Sequence, residues 1–529
     1  MSFATSESLV EYGSRRAIIT ITAIFCALLE IVDTTIVNVA LQTMSGNLGA
    51  TISEVSWVIT AYAIGNVIVM PMTSWLAQQF GRRNYFAASI IIFTVFSFLC
   101  GNANSIGELI LFRLLQGMGG GALLVTSQTI ITESYPPEDR AKATALYGLG
   151  VIVGPTLGPP LGGYIVDNFS WPFIFYINIP IGIIAAILTI LFVRSPKYAE
   201  KTKAADVDWI GIGLLAISVG SLQYVLERGQ EDDWFSNTAI LVLSVVAVFG
   251  IFFFIWRELT YRNPIVAFKV LRNRNLRVGT ILSFVLGFGL YGSTYIIPLY
   301  TQQLLGWTAL QSGLLMVPAA LATAFMMPIV GAILKKGAPP QYLLAIGMTL
   351  FTMFCLAGYF ILTPDTGRDS FFGMLMLRGV GLSLLFIPIT AVSLSTLKGQ
   401  EIGQGASFTG LMRQLGGSFG VAIINTYMSR RNALHRSDLV AHLNMNSGNA
   451  VNRVQQLQQG LMAKGVPADK ALLSSYKIMD MSVMKQSSVL SYMDVFMALA
   501  IMFMVCVPVV LIFIRNRKSA EPVDLSSAH

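Results

Sequence analysis

Glu30 and Asp33 stand three residues apart inside the apolar run Ala17 to Leu41, and Arg113 stands inside another, Glu108 to Thr132. A charged side chain in hydrocarbon costs roughly 2.5 to 3.5 kcal/mol even on the gentler insertion scales, so each one needs a partner or a task. At 100° per residue, Glu30, Asp33, Thr34, Val37 and Leu41 share a helix face with Asn38 at its edge, while Arg113, Gln116, Gly117, Gly120 and Gly121 make a stripe on the second helix. With a rise of 1.5 Å per residue, Asp33 and Arg113 lie about 12 and about 8 Å from the outer ends of their helices, close enough in depth to pair. The chemistry this allows is reversible protonation. Burial favours the neutral acid, and a guanidinium favours the carboxylate. Three pKa units correspond to about 4 kcal/mol, and one charge crossing 100 mV to about 2.3 kcal/mol, so a proton gradient can act through such a group. Asp33 is expected to be the principal proton site, with Arg113 tuning it and Glu30 as a second acid; the bland reading is a static pair that fixes helix packing.

The elements that hold these residues have to be spanning helices. The chain has 529 residues, 54% hydrophobic and 12% charged, whereas soluble domains carry about a quarter charged residues. Runs of about 20 apolar residues cross a bilayer, and fourteen can be read. Six lie in an N-terminal half, 17–193, two in an insert, 207–256, and six in a C-terminal half, 278–514, flanked by polar ends at 1–16 and 515–529. The expected fold class is an all-α polytopic membrane protein. Most of the 35 Lys and Arg fall on one side, among them Arg82, Arg83, Arg140, Lys142, Lys335 and Lys336, with Lys197, Lys201, Lys203, Arg515, Arg517 and Lys518 in the linker and tail. The short loops of the other side hold only Arg228 and Arg368. This bias puts both termini in the cytoplasm and accounts for the net charge of +8 without a nucleic-acid partner.

The two halves repeat. Phe80-Gly81-Arg82-Arg83 matches Leu334-Lys335-Lys336-Gly337 in place, and Leu111-Phe112-Arg113-Leu114-Leu115-Gln116-Gly117 has a counterpart in Met376-Leu377-Arg378-Gly379. Parallel repeats place a cavity near the midplane between the halves. Candidate lining groups are Asn38, Tyr62, Asn66, Gln116, Gln128, Tyr291, Tyr295 and Arg378, with aromatic area for affinity and polar atoms for orientation. Trp57, Tyr300 and Trp307 read as interfacial belt residues. The fifth helix, Gly148 to Gly163, carries three prolines among closely spaced glycines. Gly154, Pro155, Gly158, Pro159, Gly162 and Gly163 therefore suit a bent, tightly packed gate, or dense packing without gating. A similar small-residue stripe surrounds Arg413.

Other chemistries find little support. The four cysteines each sit in an apolar run without a close pair, and there are three histidines, so no metal site, cofactor or disulfide framework is indicated. No H-E-x-x-H, nucleophile elbow or P-loop occurs, which argues against an enzyme and against ATP-driven pumping. The polar segment Ser429 to Ser488 has Val451, Val454, Leu457 and Leu461 at helical spacing, with Ala468, Leu472 and Ser475 suggesting a second helix of a hairpin, and His435 and His442 read as surface residues.

The stretch Leu29-Glu30-Ile31-Val32-Asp33-Thr34-Thr35-Ile36-Val37-Asn38-Val39-Ala40-Leu41 resembles the first-helix motif of the fourteen-helix drug:proton antiporter branch of the major facilitator superfamily, EmrB-type pumps in particular. Arg113 with Gln116 and Gly117 is similar to that superfamily's proton-coupling motif in the fourth helix, Gly150 to Gly163 to its fifth-helix antiporter motif, and Trp171 to Gly182 to its sixth-helix signature. The turn at Gly81 and Arg82 resembles its gating motif, but Gln78 stands where an acid is usual, and Gln42 where proline is usual. The resemblance implies two six-helix halves plus two inserted helices, and proton-driven multidrug efflux from the bacterial inner membrane by alternating access, with no cofactor. It also implies contact of 429–488 with a periplasmic adaptor and, beyond it, an outer-membrane channel. A proton-coupled importer of a nutrient or siderophore is the alternative on the same fold.

Overall fold

A computed structural model describes residues 9–196, 207–443 and 448–513. The expectations placed on residues 1–8, on Lys197, Lys201 and Lys203, and on the tail from 514 with Arg515, Arg517 and Lys518 lie outside the described residues. The chain runs through α1 (Gly13–Ile36), α2 (Leu41–Leu48), α3 (Ile52–Val69), α4 (Thr73–Phe80), α5 (Arg82–Gly101), α6 (Ile106–Ser134), α7 (Arg140–Asn168), α8 (Phe173–Tyr176) and α9 (Asn178–Phe192). It continues through α10 (Trp209–Arg228), α11 (Thr238–Thr260), α12 (Arg274–Gln303), α13 (Ala309–Leu315), α14 (Val317–Lys335), α15 (Pro340–Ile361), α16 (Ser370–Leu394), α17 (Gln400–Ala441), α18 (Gly448–Ala463) and α19 (Ala468–Phe513).

Among the described residues, thirteen helical spans are long and apolar enough to cross a membrane. The fourteenth expected crossing, Gly405 to Met428, is helical within α17, where glycines and polar residues dilute its apolar character. Large apolar side chains point outward along the bundle, Phe252, Phe325, Phe360 and Ile512 among them. Such a surface is stable only against lipid, and this is a multi-pass membrane protein.

Local chemistry explains the interruptions. A 3₁₀ turn at Met70–Met72, holding Pro71, separates α3 from α4, and α13 gives way to α14 just before Pro318. At the turn into α5, Gly81 has φ +83°, where a Cβ would be strained. This end of the bundle, hereafter the Gly81 end, also gathers Glu11, bonded through its backbone N–H to the Ser134 carbonyl, and Lys335, whose ammonium lies 2.6 Å from the Asp139 carboxylate. Arg82 pairs there with Glu133. At the opposite end α17 and α19 run on past the bundle, and α18 packs beside α19.

The inserted pair differs in its two members. α10 wedges between the halves: Arg228 donates to the Ser53 carbonyl (3.2 Å) in the first turn of α3, while Gln223 donates to Ser418 of α17 (2.9 Å). Just beyond α10, Trp234 donates to Thr426 of the same helix at 3.0 Å. α11 turns Val248, Phe249 and Phe252 outward. α7 is one continuous helix despite Pro155, Pro159 and Pro160 inside it. Its Gly154, Gly158 and Gly162 lie against Ile31, Thr35 and Ile36 of α1, and Pro160 and Gly163 meet Gly313 and Leu310 of α13. The proline-rich helix thus sits between the two halves.

Candidate functional site

Asp33 is fully buried in the last turn of α1, and Arg113 on α6 is 1% exposed. Nη1 of Arg113 donates to Oδ2 of Asp33 at 2.5 Å and to Oε1 of Gln116 at 2.8 Å, and Nε donates to the Val58 carbonyl at 3.2 Å. The other carboxylate oxygen, Oδ1, accepts from Gln116 (3.1 Å) and from Asn178 at the start of α9 (2.8 Å). Gln116 also donates to Ser97 of α5 at 2.7 Å. The Arg113 guanidinium carbon lies 4.1 Å from the centre of the Tyr62 ring. The carboxylate on α1 thus takes three charge-assisted hydrogen bonds from α6 and α9, and α3 and α5 join the same network, so five helices meet here.

The glycine stripe makes this convergence possible. A Cβ on Gly117 would strike the Tyr62 backbone, and one on Gly121 the Asn66 backbone, so α3 lies directly on α6. Gly120 leaves space for the Tyr62 hydroxyl beside the stem of Glu30.

Glu30 belongs to a second cluster. Its Oε1 accepts from Asn66 at 2.6 Å, and its Oε2 is buried without a hydrogen-bond partner among the described residues, as are the Tyr62 hydroxyl and both amide atoms of Gln128. Tyr291 donates to Gln414 at 3.3 Å, which closes part of this interior from the other half.

Several expectations need correction. Gln116 is a ligand of the Asp33 carboxylate instead of a free lining group. Asn38 is exposed on the 3₁₀ turn that directly follows α1. Arg378 is 2% exposed and donates to Ser293 (2.9 Å) and Thr294 (2.5 Å) of α12. It ties two helices of its own half together, repeating the Arg113 geometry with hydroxyls in place of the acid. Tyr295 is half-buried, with no hydrogen bond from its hydroxyl among the described residues. Tyr300 is a core residue, donating to the Thr363 carbonyl at 2.5 Å, not part of a belt. His435 is largely buried, its Nε2 2.6 Å from Asp494 of α19, because α17 and α19 pack together beyond the bundle.

Asn178 and Ser97 are functional neighbours that sequence reasoning did not single out, although Asn178 falls within the quoted Trp171 to Gly182 signature. Asn178→Ala should remove one donor from Oδ1 of Asp33 and cost about 1.5 to 3 kcal/mol. The check is thermal unfolding in detergent against Asn168→Ala, whose side chain bonds only its own helix at an exposed site.

At the Gly81 end a neutral amide pair stands where an acid is usual. Nε2 of Gln400 on α17 donates to Oε1 of Gln78 on α4 at 2.5 Å, so two amides join the halves. They line a small open pocket together with Ser74, Arg82, Thr126, Thr129 and Gly403.

This geometry can be set beside known proteins. Residues 23–421 match the family model of the Major Facilitator Superfamily. The chain is 35% identical over 485 residues to the multidrug export protein EmrB of Escherichia coli (strain K12), covering 89% of this chain and 93% of that protein. It is 34% identical over 502 residues to the fatty acid resistance protein FarB of Neisseria gonorrhoeae, covering 94% and 96%. The crystal structure of a bacterial homologue of the human lysosomal transporter Spinster, inward-facing and unoccupied, has a TM-score of 0.55 at 16% identity, covering 96% of this chain and all of that one, and shares the fold. With an all-helical bundle, repeated arginine sites in its two halves and matches of this extent, the chain belongs to the Major Facilitator Superfamily, a family of transporters and not of enzymes.

Proposed function

We propose that this protein is a proton-coupled antiporter that exports hydrophobic or amphipathic compounds by alternating access. The observation that carries the reading is the buried Asp33 carboxylate, held by Arg113, Gln116 and Asn178 at the meeting of five helices. A group so placed changes its proton affinity when any one helix shifts, because each donor favours the ionised form and burial favours the neutral one. Proton uptake from the side away from the Gly81 end neutralises Asp33 and frees Arg113. The helices then reorient, and the proton leaves on the Gly81 side as cargo binds.

The names of the similar proteins support amphipathic cargo, as does an interior that mixes Tyr62, Tyr291, Glu30 and Gln128. The charge bias of the loops supports a bacterial inner-membrane location with the Gly81 end cytoplasmic. The helices past the opposite end are then periplasmic, where they would meet an adaptor protein leading to an outer-membrane channel.

The test is purified protein in liposomes with an imposed pH gradient and a panel of cationic, neutral and anionic amphiphiles. Cargo movement opposite to protons, dependent on the gradient, is the expected result. Movement of both in the same direction would identify an importer and defeat the proposal.

A further inference from the structure

The connector between α11 and α12 carries charge to which the proposed cycle gives no part. From Leu259 to Arg277 it holds five cations, Arg262, Lys269, Arg272, Arg274 and Arg277, and no acid. Elsewhere at the Gly81 end cations alternate with acids: Arg15 and Arg194 reach Glu11, Arg82 pairs with Glu133, and Lys335 pairs with Asp139. Here Arg262, Lys269, Arg272 and Arg277 are exposed, and none of them has a carboxylate within 4.0 Å among the described residues. The positive-inside bias accounts for the side on which they lie, not for their bunching at one place.

The connector is held firmly. Residues Phe268–Arg272 form a 3₁₀ turn, in which positions three apart eclipse, so Lys269 and Arg272 share an edge. Asn273 then caps α12, its Oδ1 accepting from the backbone N–H of Asn275 at 3.0 Å, while its Nδ2 donates to Thr396 at 2.8 Å. Arg274 and Arg277 follow one turn apart on α12, with the exposed Ile281 one turn deeper on the same face. Phe268 turns inward, its ring 5.5 Å from that of Phe408 on α17 and 6.1 Å from that of Phe254 on α11. Trp256 and Leu259, in the last turns of α11, are exposed. Cations thus stand at the rim, and apolar side chains lead from them into the membrane.

We propose that this ledge binds the head group of an anionic phospholipid, with the phosphodiester against Lys269, Arg272, Arg274 and Arg277 and the acyl chains in the lipid layer that Trp256 and Ile281 face. A lipid complements both parts of the surface, phosphate for the cations and hydrocarbon for the residues below them; a soluble phosphate complements one. The ledge also adjoins the closed end. Ile265, Val266 and Ala267 of the same connector line a crevice with Ser74 of α4 and Gln404 of α17, next to the pocket that Gln78 and Gln400 line. A bound head group therefore loads the helix that carries Gln400. Lipid binding of this kind is independent of the direction and coupling of transport.

The test is lipid retention by the full chain, reconstituted in nanodiscs of equal parts phosphatidylglycerol and phosphatidylcholine, extracted into mild detergent and weighed by native mass spectrometry. The parent should hold its most tightly bound lipid as phosphatidylglycerol. Lys269→Gln, Arg272→Gln and Arg277→Gln should each lower that preference about fivefold, the size expected for one cation at an anionic membrane surface. Arg272→Lys should keep it. The double variant Lys142→Gln with Lys336→Gln, which removes exposed cations elsewhere at the Gly81 end, should match the parent. All these side chains are exposed, and unchanged unfolding temperatures will show that the variants fold. Equal retention of the two lipids by the parent, an unchanged preference in the three glutamine variants, or an equal loss in the double variant overturns the proposal. Displacement of the lipid by millimolar inorganic phosphate would mark a soluble-anion site and overturns it as well.

Discussion

Asp33→Asn should abolish proton-driven transport while leaving folded protein in the membrane. The asparagine fills the same volume, so the five-helix junction can still form, but it has no acidic proton to release at this site. Its amide group also puts an N–H where the carboxylate accepted from Arg113, Gln116 and Asn178. Removing one partner of a buried ion pair typically costs about 3 to 5 kcal/mol, because the remaining charge stays buried without compensation. The unfolding temperature should therefore drop as well. The double variant Asp33→Asn with Arg113→Gln separates the two effects: losing both charges should recover much of the stability and none of the coupling. Full gradient-driven flux in Asp33→Asn liposomes would remove the carboxylate from the mechanism.

Gly117→Ala should be the most damaging single-methyl change in α6. The added Cβ meets backbone atoms of Tyr62, which cannot rotate away as a side chain can. α3 and α6 would have to part, and with them the Val58 carbonyl that holds Arg113 and the Asn66 amide that holds Glu30. Overpacking of this kind costs about 1 to 3 kcal/mol or more, and both acid sites would loosen together. Gly107→Ala, at an open position in the first turn of the same helix, is the control. It should match the parent or gain about 0.5 to 1 kcal/mol, since alanine is the better helix former. Equal thermal stability and equal flux for the two variants would show that the close approach of α3 to α6 is dispensable.

The Asp33–Arg113 pair was legible because charge in hydrocarbon is expensive enough to force pairing, and similar depth left few partners. Glu30 was read onto the same face as Asp33, yet residues three apart on a helix are about 60° from overlap. That offset sends Glu30 to Asn66 on α3 and Asp33 to α6 and α9. Neutral groups such as Ser97 and Asn178 have no obligatory partner in sequence, and their meeting depends on how α5 and α9 settle against α1. A helix at Ala468 was expected as part of a hairpin, but its continuity with the last spanning helix was hidden for another reason. Apolar runs mark only the part of a helix inside the membrane, and residues 468–488 are polar enough to read as loop. The inward place of Arg378 was correct in register, but its hydroxyl partners on α12 could not be told from cavity lining.

The continuity of α19 has a mechanical consequence. The 21 residues from Ala468 to Ser488 form one rod with the helix inside the bundle, extending about 30 Å at 1.5 Å per residue. Arg431 and His435, both joined to Asp494, bolt that rod to α17. A tilt of about 10° at the membrane would swing its tip sideways by roughly 5 Å over that length, so an anchored weight or antibody at the tip would load the rocking motion itself, like a hand on the end of an oar.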